Sequence, residues 1–169
     1  MCVAEDEDDE SGPTEPHYYD GEYKNGKRTG LGEMTYPNGD RYHGQWQDGK
    51  KHGEGTYTYK NKDGADDIYS GTWVSDVKEG KGYYEFGADG SMMIGTWEKG
   101  TIVEGEWRFK DGGSYTGVFK NGKPTGNGTF KLANGYMQSG AYIAEEVVKE
   151  EGEEPETILS WKGDGVTQL

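Results

Sequence analysis

The sequence predicts an all-β protein: an elongated, single-layer, twisted antiparallel meander of stacked β-hairpins, with acidic flexible tails at its ends. Three observations predict it. A motif of the form Tyr-x-Gly-x-aromatic-x-x-Gly-x-x-x-Gly-x-Gly recurs through the middle of the chain. Within each copy, rings and glycines fall on every second position, the period of a β-strand. Asn-Gly or Asp-Gly pairs split the copies into halves, and such pairs take the positive φ that tight hairpin turns need.

The first element, residues 1–18, holds seven acidic residues and no Lys or Arg. Such a run reads as a solvated, disordered N-terminal tail. Its start, MCVAEDEDDE, is acidic where a secretory leader is basic and then apolar. Cys2 is the single cysteine, which allows no internal disulfide and suits a reducing compartment. The expected location is therefore the cytoplasm.

The repeat array spans residues 19–142. The first copy starts at Tyr19 and runs through Gly21, Tyr23, Gly26, Gly30, Gly32, Met34 and Tyr36 to a turn at Asn38-Gly39. The second starts at Tyr42, with Gly44, Trp46, Gly49, Gly53, Gly55, Tyr57 and Tyr59, and closes on a longer turn through Asp63-Gly64. The third starts at Tyr69 and has Asp76 where Gly is expected. The fourth is degenerate: Met93 replaces the first Tyr, one residue is missing, and only Gly105 of the Gly pair survives before Trp107. The fifth starts at Tyr115 and is complete, and a half copy follows with Gln138, Gly140 and Tyr142. Two strands per copy give ten to eleven strands, a rod about 50 Å long at ~4.8 Å per strand.

Glycine normally weakens a strand. Its regular placement here leaves bare backbone that a neighbouring ring can cover, so that rings on glycine replace aliphatic packing. The chain suits this arrangement, with 30 glycines, 13 tyrosines and only 30% hydrophobic residues. The ring face holds Tyr19, Tyr23, Tyr42, Trp46, Tyr69, Trp73, Trp97, Trp107, Tyr115 and Phe119. A single-layer sheet cannot bury every ring by itself, so part of this face is expected to form a groove for a peptide or a second array.

Residues 143–169 form an acidic C-terminal tail with eight acids across 144–169. Ala141–Glu151 has helix-forming composition, and Trp161 follows Pro155. The segment reads either as a frayed tail or as an anchor that docks Trp161 on a neighbour or on the sheet edge.

The motif at 42–55, and with Tyr for Trp at 19–32, resembles the MORN repeat (membrane occupation and recognition nexus). The resemblance covers residues 19–142 and implies stacked hairpins that serve as scaffold, dimerisation or docking modules. The defective fourth copy, the complete fifth copy, the terminal half copy and the acidic flanks resemble the MORN-type subunits of axonemal radial spoke heads. That resemblance implies a structural subunit of motile cilia or flagella, placed in the axoneme of the cytoskeleton, with other spoke-head proteins or a second MORN array as partners.

Chemistry is not expected. His17, His43 and His52 have neither metal-ligand nor catalytic spacing. The Gly-x-Gly pairs lack the third Gly or the Gly-Lys-Ser/Thr of phosphate loops. Asp63, Asp66 and Asp67 lack calcium-loop spacing and read as a solvated turn. No cofactor, metal or catalytic residue is assigned. The net charge of −14 sits in the tails, and this argues against nucleic acid and anionic lipid. The alternatives are a MORN scaffold at a membrane or in the cytosol, or an accessory array for a partner enzyme.

Overall fold

The computed structural model describes residues 18–62, 64–147 and 156–168. The acidic N-terminal tail, except for its last residue, and the acid run at 148–155 lie outside the described residues. The described chain is all strand and turn. It divides into two compact units, Met1–Gly90 and Ser91–Leu169.

The first unit holds β1 (Tyr18–Lys24), β2 (Lys27–Thr35), β3 (Arg41–Gln47), β4 (Lys50–Tyr59), β5 (Asp67–Val74) and β6 (Val77–Glu85). The second holds β7 (Met92–Glu98), β8 (Thr101–Arg108), β9 (Ser114–Lys120), β10 (Lys123–Lys131), β11 (Tyr136–Val147) and β12 (Glu156–Gln168). In each unit the strands lie in chain order, each antiparallel to the next.

Five hairpins turn on two residues with φ in the left-handed region. These are Asn25-Gly26, Asp48-Gly49, Ser75-Asp76, Lys99-Gly100 and Asn121-Gly122. Two successive positive φ values match the right-handed twist of the flanking strands. Asp76 takes the place of Gly at φ 71°. Its carboxylate accepts a bond from Lys51 N at 2.8 Å, and its own N–H donates to Lys51 O at 3.0 Å. The turn of one copy is thereby tied to the strand of the copy before it. Gly49 N donates to Arg28 O in the same way, at 3.0 Å.

The Gly-x-Gly pair has a structural cause. Gly44 pairs with Gly55 and Trp46 with Lys51, so Gln45 alone faces His52, Gly53 and Glu54. This bulge needs one residue with positive φ, and Gly53 supplies it at 63°. Gly30, Gly80 and Gly126 do the same at 66°, 68° and 57°. In the degenerate fourth copy Gly95 pairs with Gly105 and Trp97 with Ile102, so Thr96 faces only Val103 and Glu104. The missing residue is one of the two extra residues of the bulge, which keeps the other, and the hairpin still closes.

The C-terminal segment differs from the sequence expectation in two ways. The described part of the predicted helix, residues 141–147, is strand β11 paired with β12. Gly140 and Tyr142 continue the glycine–ring alternation there, and β12 offers a full ladder of hydrogen bonds. That pairing outweighs helix propensity, which is a weak prior. The strand total is therefore twelve among the described residues, because β12 completes the half copy as a sixth hairpin.

Candidate docking face

Each first-position tyrosine lies across a cross-strand pair of glycines. Tyr42 covers Gly44 and Gly55, Tyr69 covers Gly71 and Gly82, and Tyr115 covers Gly117 and Gly128. A β-carbon on Gly71 would stand 2.8 Å from Tyr69 Oη. The three rings are 0% exposed, and Tyr19, over Gly21 and Gly32, is 9% exposed. Tyr42 Oη donates to Gln45 O at 3.0 Å, and Tyr69 Oη to Thr72 O at 3.3 Å. These bonds satisfy carbonyls that the bulge frees. Tyr115 Oη has no hydrogen-bond partner.

The second-position rings Trp46, Trp73, Trp97 and Phe119 are also buried. Trp46 Nε1 donates to Gly32 O at 3.3 Å and Trp73 Nε1 to Gly55 O at 3.1 Å. Each indole thus stitches its copy to the preceding one. Tyr23 stays exposed on β1, edge-on to Tyr19 at 5.1 Å. Of the rings named from the sequence, Tyr42, Tyr69, Trp46 and Trp73 form one internally packed layer of the first unit.

The half-buried rings of the first unit are others. Tyr36, Tyr57, Tyr59, Tyr84 and Phe86 form a continuous row, with centroids 5.6, 4.4, 5.8 and 4.8 Å apart in that order. They come from the second half of each copy. The aromatic-x-aromatic ending of the motif was the signal for them, yet the period of two places both halves on one face without separating the two rows.

Two lysines lie between the rows. Lys51 Nζ stands 4.9 Å from the Tyr57 centroid, 5.0 Å from Trp73 and 5.5 Å from Tyr36. Lys78 Nζ stands 4.8 Å from Tyr69, 4.9 Å from Tyr84 and 5.0 Å from Tyr59. Ring faces attract the ammonium groups, but burial disfavours their charge. Burial lowers the Lys51 pKa, and for Lys78 burial and then Lys51 bring it to about 8. Burial also raises the phenols, Tyr36 and Tyr59 to about 12 and Tyr57 and Tyr84 higher still.

Two carboxylates, Asp40 buried and Asp67 half-buried, fix the row from one side. Tyr57 Oη donates to Asp40 at 2.8 Å, and Tyr84 Oη to Asp67 at 2.7 Å. Asp40 also accepts from Lys60 N, and Asp67 from Gly87 N. Burial raises the Asp67 pKa, but the bonds from Tyr84, Gly87 and Asn61 hold it below its ordinary value. Asp66 is lowered by its bonded Lys60 at 3.1 Å. Asp66 and Asp67 therefore staple the long turn. Asp63 lies outside the described residues, and among those described no three His, Cys, Asp or Glu could hold a metal ion together.

The second unit packs differently. Ile102 and Pro124 stand where Lys51 and Lys78 stand in the first. Trp107 lies 5.2 Å from Phe109, and its Nε1 has no hydrogen-bond partner. Trp161 on β12 packs 4.9 Å from Phe130 and 5.2 Å from Tyr142. Gln138 takes the role of the first tyrosine. It covers Gly163, accepts a bond from Trp161 Nε1 at 3.1 Å, and donates to Asp164 O at 2.9 Å. In the sequence, Gly163, the partner of Gly140, was the trace of this sixth copy.

Among the described residues, no helix is long and apolar enough to cross a membrane. Comparison with curated proteins gives no match. The MORN repeat family matches over residues 19–41, 42–64, 69–91 and 115–135, and it skips the fourth copy, whose bulge is short. With more than half of its residues inside these matches and every matched copy folded as a glycine-paired hairpin, the chain belongs to the MORN-repeat family.

Proposed function

We propose that the protein is a non-enzymatic scaffold subunit of a protein assembly, and that the half-buried row Tyr36–Tyr57–Tyr59–Tyr84–Phe86 is its docking surface. One observation carries the reading. Five half-buried rings are held in place by the carboxylates of Asp40 and Asp67 and by two caged lysines, on a stack of hairpins whose deeper rings are already internally packed. Rigid aromatic surface with polar anchors is what protein interfaces favour, since little side-chain entropy is lost on binding. The assembly is the radial spoke head of motile cilia or flagella. This rests on the resemblance of the copy pattern, with its defective fourth copy and acidic flanks, to spoke-head subunits.

The test is detergent extraction of cilia from a ciliated cell that carries the tagged protein. Retention with the axoneme, and loss from mutants that lack spoke heads, is the expected result. Release with the membrane fraction would favour a membrane scaffold instead. In retained material, Tyr59→Ala with Tyr84→Ala should lower occupancy several-fold while circular dichroism stays unchanged. Full retention of that variant would remove the row as the docking surface.

A further inference from the structure

The N-terminal segment carries charge opposite to that of the lysines in this row. Residues 1–17 contain seven carboxylates and no Lys or Arg. They join β1 at Tyr18, which pairs with Thr35, the residue just before Tyr36. The segment therefore starts at the same strand ends, next to the first ring of the row. The row crosses from β2 to β6, four strand spacings or roughly 19 Å. Seventeen residues reach up to about 55 Å when extended, so length is sufficient several times over.

The face presents cations to such a segment. Lys51 and Lys78 lie between the rings, and the Arg28 guanidinium lies 4.6 Å from the Trp46 centroid. Three carboxylates near the row accept hydrogen bonds within the fold. Asp40 accepts from Tyr57, Asn38 and Lys60 N, Asp67 from Tyr84, Asn61 and Gly87 N, and Asp76 from Lys51 N. An incoming carboxylate would relieve the cost of burying the ammonium charges, and half-buried tyrosine edges offer contact to the intervening residues.

We propose that the acidic segment 1–17 lies along the Tyr36–Phe86 row of its own chain, beside Lys51 and Lys78, and covers it until a partner displaces it. The inference adds an internal competitor to the docking surface described above and rests on that surface being open to a ligand. Covering lowers the apparent affinity of any partner by the fraction of time that the row is occupied.

Cys2 is the single cysteine, so a nitroxide can be placed on the segment in the full chain. Amide intensities are then read with the nitroxide oxidised and reduced. At low salt the amides of Tyr36, Tyr57–Tyr59 and Tyr84–Phe86 should lose at least about half their intensity. The loss should vanish in 0.5 M salt, where the screening length falls to roughly 4 Å. It should also vanish in Lys51→Gln/Lys78→Gln. Neutralising Glu5–Glu10 to the corresponding amides leaves the folded unit untouched and should release the row equally. Broadening confined to β1, or spread equally to His43, Thr56 and Ser70 on the opposite face, overturns the proposal. Broadening that appears only between differently labelled molecules makes the occupant a second copy and overturns it as well. The readout concerns the chain's own segment, so failure leaves the axonemal retention test standing.

Discussion

A carboxylate as buried as Asp40, at 8% exposure, stays in a fold only if donors surround it. It receives Tyr57 Oη, Lys60 N and Asn38 Nδ2 within 2.9 Å. The same pair recurs in the third copy as Asp67 and Tyr84, while the fifth copy has Gly113 and Phe130 at these positions. Acid and hydroxyl are thus present together or absent together. Tyr57→Phe should cost about 1.5–3 kcal/mol, the usual contribution of a hydrogen bond to a charged group. A cycle with Asp40→Gly, read from urea unfolding midpoints, should show a coupling of about 1–2 kcal/mol. Strict additivity would mean that the bond contributes nothing. Gly55→Ala tests the other residue-scale device. Its methyl group would enter space filled by the Tyr42 ring, an overpacking that costs ~2–3 kcal/mol.

At the scale of the hairpin, Asp76 balances two effects. A side chain in the left-handed region costs about 1–2 kcal/mol, and the bond to Lys51 N returns roughly 1 kcal/mol. Asp76→Gly should therefore leave stability within about 0.5 kcal/mol, whereas Asp76→Ala keeps the strain, loses the bond and should cost about 1 kcal/mol. Thermal unfolding of the two variants separates the effects: equal losses would show that the carboxylate is idle. The turns and the ring–glycine face were legible in the sequence because Asn-Gly and Asp-Gly pairs and a period of two report backbone geometry directly. The last hairpin was not. Gln138 stands in for tyrosine and the link between β11 and β12 is long, so periodicity broke while local composition favoured helix. The division of rings into two rows was equally hidden. It depends on which rings sit beside a bare Gly–Gly pair, and thus on cross-strand register. For the sixth hairpin, Trp161→Ala should speed amide exchange in 156–168 by tenfold or more and leave β9 protected. Unchanged exchange there would show that β12 is held by its backbone ladder alone.

For the molecule as a whole, the two kinds of copy imply a pH dependence that belongs to the first unit, where the lysines are caged. The Lys78 pKa is about 8 in the fold against 10.5 as its ordinary value, and Lys51 is also lowered. Below pH 8 the fold bears the full cost of a buried ammonium. Between pH 8 and 10.5 the unfolded chain binds more protons than the folded one, so stability rises with pH. The tyrosines act in the opposite sense. Tyr36 and Tyr59 are raised from 10.0 to about 12, and Tyr42, Tyr57, Tyr69 and Tyr84 lie higher. Above pH 10 the unfolded chain loses phenolic protons that the fold retains, and stability falls. The first unit should therefore be most stable near pH 9.5–10. Native-state amide exchange along a pH series, corrected for intrinsic rates, reads this from β3–β6 separately from β9–β10. Lys78→Met should abolish most of the rise between pH 8 and 10 and raise stability at pH 7, because the ring cage keeps its apolar contacts and no longer holds a charge. A rise that survives in Lys78→Met would place the titrating group elsewhere. A flat profile in the parent chain would show that water reaches the ammonium through the gaps between the half-buried rings.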